Sequence, residues 1–232
     1  MTDIEEFPDV NYATEDGLLA LGGDLSPSRL LAAYKKGIFP WYNPGEPILW
    51  WSPDPRCVIF PETYQPSRSL RKSIRKQDFK FSFDQDFAGV IKSCAIPRSS
   101  DCGTWITADM MKAYIELHKL GIAHSVETWR EGKLVGGLYG ISLGTAFFGE
   151  SMFNTITDAS KAALYFLIAN LVNWHYEIID CQITSNHLLS LGAEKISRSE
   201  FIQYLEKALS NNVDAWNKSK INPSLKPLLK QN

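Results

Sequence analysis

The spacing of apolar positions separates helices from strands over most of the chain. Residues 7 to 24 are loop-rich, with room for at most one short strand around Leu18-Leu19-Ala20-Leu21. A helix follows, with Ser26 as N-cap, Pro27 at the first helical position, Leu25 and Leu30 as a hydrophobic staple and Gly37 as the stop. Cys57 to Phe60 reads as a short strand. Ser67 then caps a helix on which Leu70 and Ile74 lie four apart. Phe79 to Phe83 alternates as a strand, and Asp84 is expected to cap a helix carrying Phe87, Val90, Ile91 and Cys94. Residues 97 to 104 form a polar loop leading to Trp105, and Thr107 caps a helix that runs to Leu120 and stops at Gly121.

The pattern next turns to strands at His124 to Arg130, Leu134 to Leu143 and Thr145 to Phe153, the first two joined by a tight Glu131-Gly132 turn. From Asp158 or Ser160 to about Trp174 the chain is apolar nearly all round, so that helix must be buried. Glu177 to Ile183 is a strand, a short helix ends near Gly192, and Ser199 to Leu209 closes the fold, with a loosely ordered tail beyond Asn211. This order of elements implies an α/β (α+β) fold with a mixed sheet: antiparallel strands, a helical crossover and one parallel pair. A sheet of that kind opens where the two pairings meet, and ligands enter there.

Composition narrows the class. At 232 residues, 44% hydrophobic and 22% charged, the chain can build a substantial core. A net charge of -2 argues against a chain coated in positive charge, though not against a local basic face. Cys57, Cys94, Cys102 and Cys181 show neither CxxC spacing nor histidine partners, so a reduced, cytoplasmic setting is expected without zinc or disulfides. The acidic start, with no apolar run of about 18 residues anywhere, argues against export and membrane insertion.

Two segments invite ligands. Between residues 40 and 55 fall Trp41, Trp50 and Trp51 with five prolines, a rigid aromatic stretch that either packs a domain junction or stacks a flat ligand such as a base. Arg68, Arg71, Lys72, Arg75 and Lys76 place five cations without one acid on the helix after Ser67, a solvated face or a contact for a phosphate backbone.

The chemistry concentrates at Phe147-Phe148-Gly149-Glu150-Ser151-Met152-Phe153. Strand alternation would put Phe148, Glu150 and Met152 on one face. A carboxylate between large apolar groups needs a cation opposite it, either structural or brought by a ligand. Asp180 and Gln182, two apart on a strand, would share a face and converge with Glu150 on one cleft, where a carboxylate can take a proton from an amine and an amide can orient it. No P-loop or G-x-G-x-x-G is present, and His118, His124, His175 and His187 lack ligand spacing. Residue types alone leave amine acylation and binding of a cationic ligand both open.

The strings Gly17-Leu18-Leu19-Ala20-Leu21-Gly22-Gly23-Asp24-Leu25, Gly37-Ile38-Phe39-Pro40-Trp41, Trp50-Trp51-Ser52-Pro53-Asp54-Pro55-Arg56, Gly103-Thr104-Trp105-Ile106-Thr107, Gly136-Gly137-Leu138-Tyr139-Gly140, Phe148-Gly149-Glu150-Ser151-Met152-Phe153, Ala159-Ser160-Lys161 and Ile179-Asp180-Cys181-Gln182 resemble, in order, the bacterial leucyl/phenylalanyl-tRNA-protein transferase family. The resemblance implies a small N-terminal domain over residues 1–56 and an acyl-CoA N-acyltransferase-like catalytic domain over 57–232. It implies transfer of Leu or Phe, and less well Met, from aminoacyl-tRNA to proteins beginning with Arg or Lys, which marks them for degradation. Asp180 and Gln182 would be the catalytic pair, as proton relay or as aligners, and Glu150 would meet the acceptor's basic end. Leu138, Phe148, Met152, Leu167 and Ile179 would line the donor side-chain pocket, with Trp41 and Trp105 holding the terminal adenosine and Tyr34 beside them. The basic helix would follow the tRNA backbone. An aminoacyl ester is already activated, so no cofactor or metal is implied. The partners expected are aminoacyl-tRNA and the acceptor protein, with no membrane and a monomeric chain. The segment after Gln182 lacks a glycine-rich pyrophosphate loop, which sets the chain apart from acetyltransferases using coenzyme A.

Overall fold

A near-continuous apolar run can sit still only if protein covers it on all sides, and α5 (Ala159–Asn173) is the clearest case, with most of its residues buried. The computed structural model describes residues 6–97, 104–211 and residue 216. Cys102, Gly103, the acidic start and nearly all of the tail beyond Asn211 lie outside the described residues.

Two sheets organise the chain. The small one has the order β1-β3-β2, from β1 (Leu18–Leu21), β2 (Phe39–Pro40) and β3 (Leu49–Trp51), with α1 (Pro27–Lys35) between its first two strands. The large one has seven strands in the order β10-β4-β9-β8-β7-β6-β5. Its members are β4 (Arg56–Ile59), β5 (Lys80–Phe83), β6 (Ala123–Arg130), β7 (Lys133–Leu143), β8 (Ala146–Asn154), β9 (Ile178–Asp180) and β10 (Glu194–Ile196). All neighbours are antiparallel except β8 and β9, which α5 connects as a parallel pair. The expected mixed sheet with a single parallel pair is therefore present.

Apolar clusters cover both faces of this sheet. One gathers α5 with Leu70 and Ile74 of α2 (Arg68–Gln77). The other gathers α1, α3 (Phe87–Cys94), α4 (Ala108–Lys119) and α7 (Arg198–Ser210). Alternation along the strands feeds both: Ile178 and Phe148 enter the second cluster, Ile179 and Phe147 the first. The parallel pairing spans only Ala146 to Phe148 against Ile178 to Asp180. Past that point β8 continues while β9 ends, and the sheet opens.

Most predicted elements stand within a residue or two. Four details differ. Ser26 makes no side-chain cap; its N–H is instead held by Asp24 Oδ1 at 2.8 Å. Asp86, rather than Asp84, caps α3, because Asp84 turns into the left-handed region and its carboxylate accepts from the Ser125 N–H and meets His124 Nδ1. The strand expected to Ile183 ends at Asp180, and α6 (Asn186–Ser190) follows after a turn. Between residues 40 and 55 stands β3, a strand that the spacing does not indicate, paired with both β1 and β2.

Candidate active site

The open end of the β8/β9 pair is shaped by two strand irregularities. In β8, Tyr139 faces Ser151 and Gly140 faces Gly149, so Glu150 is an extra residue with no partner on β7. Such a bulge re-aims a side chain and reverses the alternation beyond it. Only glycine fits opposite, since a Cβ on Gly140 would run into the Phe148 carbonyl. The second irregularity follows β9. The Cys181 N–H donates to the Cys57 carbonyl at 2.9 Å while the Cys57 N–H donates to the Gln182 carbonyl at 3.1 Å, so two residues stand opposite one. Gln182 takes φ 57°, and its N–H donates to Asp180 Oδ1 at 2.9 Å, an aspartate holding the backbone two residues on.

These two departures bring Glu150 and Gln182 together. The Gln182 amide donates from Nε2 to Glu150 Oε1 at 3.4 Å. Behind the carboxyl, Tyr34 of α1 donates to Oε1 and Tyr114 of α4 to Oε2, both at 2.8 Å, and the two hydroxyls also touch each other. Two hydroxyl protons thus point at the carboxyl, one to each oxygen. Burial works against the charge, pushing the Glu150 carboxyl up to about 7. The tyrosine bonds and Arg56 pull it down, and the Asp180 charge pushes it up. Tyr139 of β7 also lies within its field, and all three tyrosine hydroxyls are held well above their ordinary value, chiefly by burial, so they stay protonated.

Asp180 sits differently. It is fully buried, and Arg56 grips it from Nε to Oδ1 at 2.8 Å and from Nη2 to Oδ2 at 2.7 Å. With Oδ1 also accepting the Gln182 N–H, neither oxygen is open to a ligand, and Asp180 lines neither cavity at the site. Of the two roles expected of Asp180, proton relay or alignment, this geometry fits alignment: its carboxylate is committed to arginine and backbone. Asp180 and Gln182 do not share a strand face, because the chain has left the strand between them.

Two cavities meet at Glu150 and Gln182. One, of about 230 Å³, is walled by apolar side chains including Leu138, Phe147, Met152, Leu164, Leu167 and Ile179. The other, of about 290 Å³, is bounded by Trp41 and Trp105 with Phe39, Pro40 and Ile183. Trp41 is tilted against Trp51, whose Nε1 donates to the Trp41 carbonyl at 2.6 Å, so the exposed indole has a fixed seat. Among the described residues no helix is long and apolar enough to cross a membrane.

The family described as leucyl/phenylalanyl-tRNA protein transferase matches residues 58–206, and its N-terminal domain matches 23–54. The chain belongs to this family. A leucyl/phenylalanyl-tRNA–protein transferase of Methylococcus capsulatus is 55% identical over 211 residues, covering 90% of each chain. Another, from Thermodesulfovibrio yellowstonii, is 57% identical over 204 residues, covering 88% of this chain and 83% of its own. This member of the family is accordingly an aminoacyltransferase.

Set against expectation, Leu138, Met152, Leu167 and Ile179 border the apolar cavity, and Trp41 and Trp105 the aromatic one. Phe148 does not border the apolar cavity. The extra residue at Glu150 exchanges it with Phe147, and Phe148 packs edge-on to Tyr34 in the opposite cluster, ring centroids 5.1 Å apart. Tyr34 borders neither cavity and stands behind Glu150 instead. Sequence reasoning missed Tyr114 and Arg56. Tyr114 was one apolar position on an amphipathic helix, and Arg56 a single cation beside two prolines; only pairing reveals either. The basic helix forms as expected, with Ser67 capping it through the Leu70 N–H and Arg68, Lys72, Arg75 and Lys76 exposed.

Proposed function

We propose that the protein moves leucine or phenylalanine, and less well methionine, from aminoacyl-tRNA to the N-terminal arginine or lysine of an acceptor protein, giving that protein a degradation signal. The observation that carries this reading is the junction of an apolar and an aromatic cavity at one carboxyl poised near neutrality. The donor side chain enters the apolar cavity. A wall of Leu, Met and Ile discriminates among apolar guests by only about 1–3 kcal/mol per methylene, which suits a short list of donors. The terminal adenosine rests against Trp41 and Trp105, and Arg68, Arg71, Lys72, Arg75 and Lys76 follow the phosphate backbone.

Glu150 receives the cationic end of the acceptor. An α-ammonium, with an ordinary pKa of about 7.7–8.0, passes a proton to the ionised carboxylate, whose own affinity for it is matched near pH 7. The freed amine attacks the ester carbonyl, forming the N–C bond. As the C–O bond to the ribose breaks, the second proton of the nitrogen goes to the departing ribose oxygen, and Glu150 returns its proton to solvent. Gln182 aligns the carboxyl and the amine; Asp180 acts through Gln182. On this reading residues 1–56 and 57–232 are the two domains, and the enzyme works in the cytoplasm as a monomer without a cofactor.

Incubation with radiolabelled leucyl-tRNA and a peptide beginning with arginine tests the reading. Label should reach that peptide and not one beginning with glutamate. Acylation from acetyl-CoA alone would make the protein an acetyltransferase, and tRNA binding without transfer would make it a binding module; either outcome overturns the proposal.

A further inference from the structure

Arg56 opens β4, the strand that lies between β10 and β9, and is fully buried. Its guanidinium is sandwiched between the rings of Phe39 at 5.0 Å and Phe201 at 4.4 Å, with one edge given to Asp180 through Nε and Nη2. The remaining nitrogen, Nη1, is buried with no hydrogen-bond partner among the described residues. Stability is a weak reason for this arrangement. Burying an ion pair commonly costs as much as its attraction returns, and a well-packed apolar pair would hold these strands as well. An orphaned donor raises that cost further.

What the pair does is geometric. The Asp180 carboxylate has to present Oδ1 to the Gln182 N–H at an angle that keeps Gln182 in the left-handed region. A planar fork fixes both oxygens at once; a point charge would fix only their mean position. The aromatic sandwich in turn fixes the plane of the fork. From Arg56 the sequence of contacts runs through Asp180 and the Gln182 backbone to the Gln182 amide on Glu150.

We propose that Arg56 is a positioning residue for aminoacyl transfer: its buried fork sets the Asp180 carboxylate, and thereby the turn that aims the Gln182 amide at Glu150. The inference rests on the function proposed above. Arg56 acts on the rate of the chemical step and leaves the basic face of α2 untouched; it borders neither cavity itself, although its ring partner Phe39 bounds the aromatic one. No part of α2 and neither tryptophan of the adenosine cavity contacts Asp180 in the bonds described.

Two variants test it, each checked for folding by thermal melting. Arg56→Lys keeps the charge and loses the fork. The double variant Arg56→Met with Asp180→Leu removes both buried charges, leaving no orphan, and so should fold even where the single variant does not. Single-turnover transfer from leucyl-tRNA to an arginine peptide should fall about 100-fold in both, the scale of a misplaced aligning group. The Kd for leucyl-tRNA should stay within about twofold, the split expected of a residue that serves only the chemical step. A rate within about threefold of wild type in a folded variant, or rate and tRNA affinity falling together, overturns the proposal. Absence of transfer by the wild-type protein would instead remove the function on which it rests.

Discussion

Helix α2 and the opening between β8 and β9 carry charge in opposite ways. On α2 nearly every feature is local: Ser67 caps, Leu70 and Ile74 face the core, and four of the five cations are exposed, with Arg71 half-buried. At the opening, three charged side chains, Glu150, Asp180 and Arg56, are drawn inward from different strands, and two of them are fully buried. Solvent screens the first group and permits it to be numerous. Protein surrounds the second, so each charge there needs a named partner and each proton is counted. A face of exposed charge can thus be written by periodicity alone, whereas a cluster of buried charges requires the strands to depart from their periodicity.

The sharpest way to test that contrast is Glu150→Gln. Because burial raises the carboxyl to about 7, the protonated form is favoured in the fold. The stability this gives is fully present below the ordinary glutamate range and is lost as pH rises through about 7. Transfer runs the other way, since only the ionised form can take the proton of an ammonium. The wild-type kcat/KM should therefore climb through an acid limb near pH 7. The glutamine variant should lose about 10²–10⁴-fold in rate and lose that limb with it. Its melting temperature should exceed wild type at pH 8 and match it at pH 5. A variant that keeps the limb would move the proton acceptor elsewhere.

Next in size comes a pair of neighbours that separates packing from selection. Phe147→Leu and Phe148→Leu each remove part of a fully buried ring, and each should cost about 1–3 kcal/mol in urea unfolding. Only Phe147 walls the apolar cavity, so only Phe147→Leu should shift the ratio of kcat/KM for phenylalanyl over leucyl donors, by up to about tenfold in favour of the larger side chain. A shift produced by Phe148→Leu instead would mean that the bulge at Glu150 does not govern which face meets the donor.

That pair also marks where the sequence is legible. Helices α2 and α4, the Glu131-Gly132 turn and the buried helix α5 follow from spacing and end signals, because each obeys one period throughout. The grouping of Leu138, Met152, Leu167 and Ile179 rests on the family resemblance rather than on spacing, and all four border the apolar cavity. Phe148 and the Asp180 and Gln182 pair could not, since one inserted residue in β8 and one left-handed residue after β9 reverse the parity on which the reading depended. The Gly140 and Gly149 pair is the one local hint of the first, and a glutamine gives no hint of the second. Tyr114 and Arg56 were unreadable for another cause: their partners are 36 and 124 residues away along the chain, and no window spans them.

The smallest effect expected lies on α2. Replacing Arg71, Lys72 and Arg75 together by glutamine keeps much of each aliphatic stem, which matters because Arg71 and Arg75 act on the Tyr165 hydroxyl beneath them. The fold should then be nearly unchanged. If these cations lie along phosphates, the slope of log affinity for tRNA against log salt should flatten by roughly two to three. The Kd at physiological salt should rise about tenfold. At saturating tRNA the single-turnover rate should equal wild type, because α2 packs into the apolar cluster opposite the one that holds Tyr34 and Tyr114 behind Glu150. An unchanged salt slope would take the helix off the tRNA surface and leave its charge to serve solubility alone. A fall in the saturated rate would join the two regions, and the separation between a screened binding face and a buried reaction centre would no longer hold.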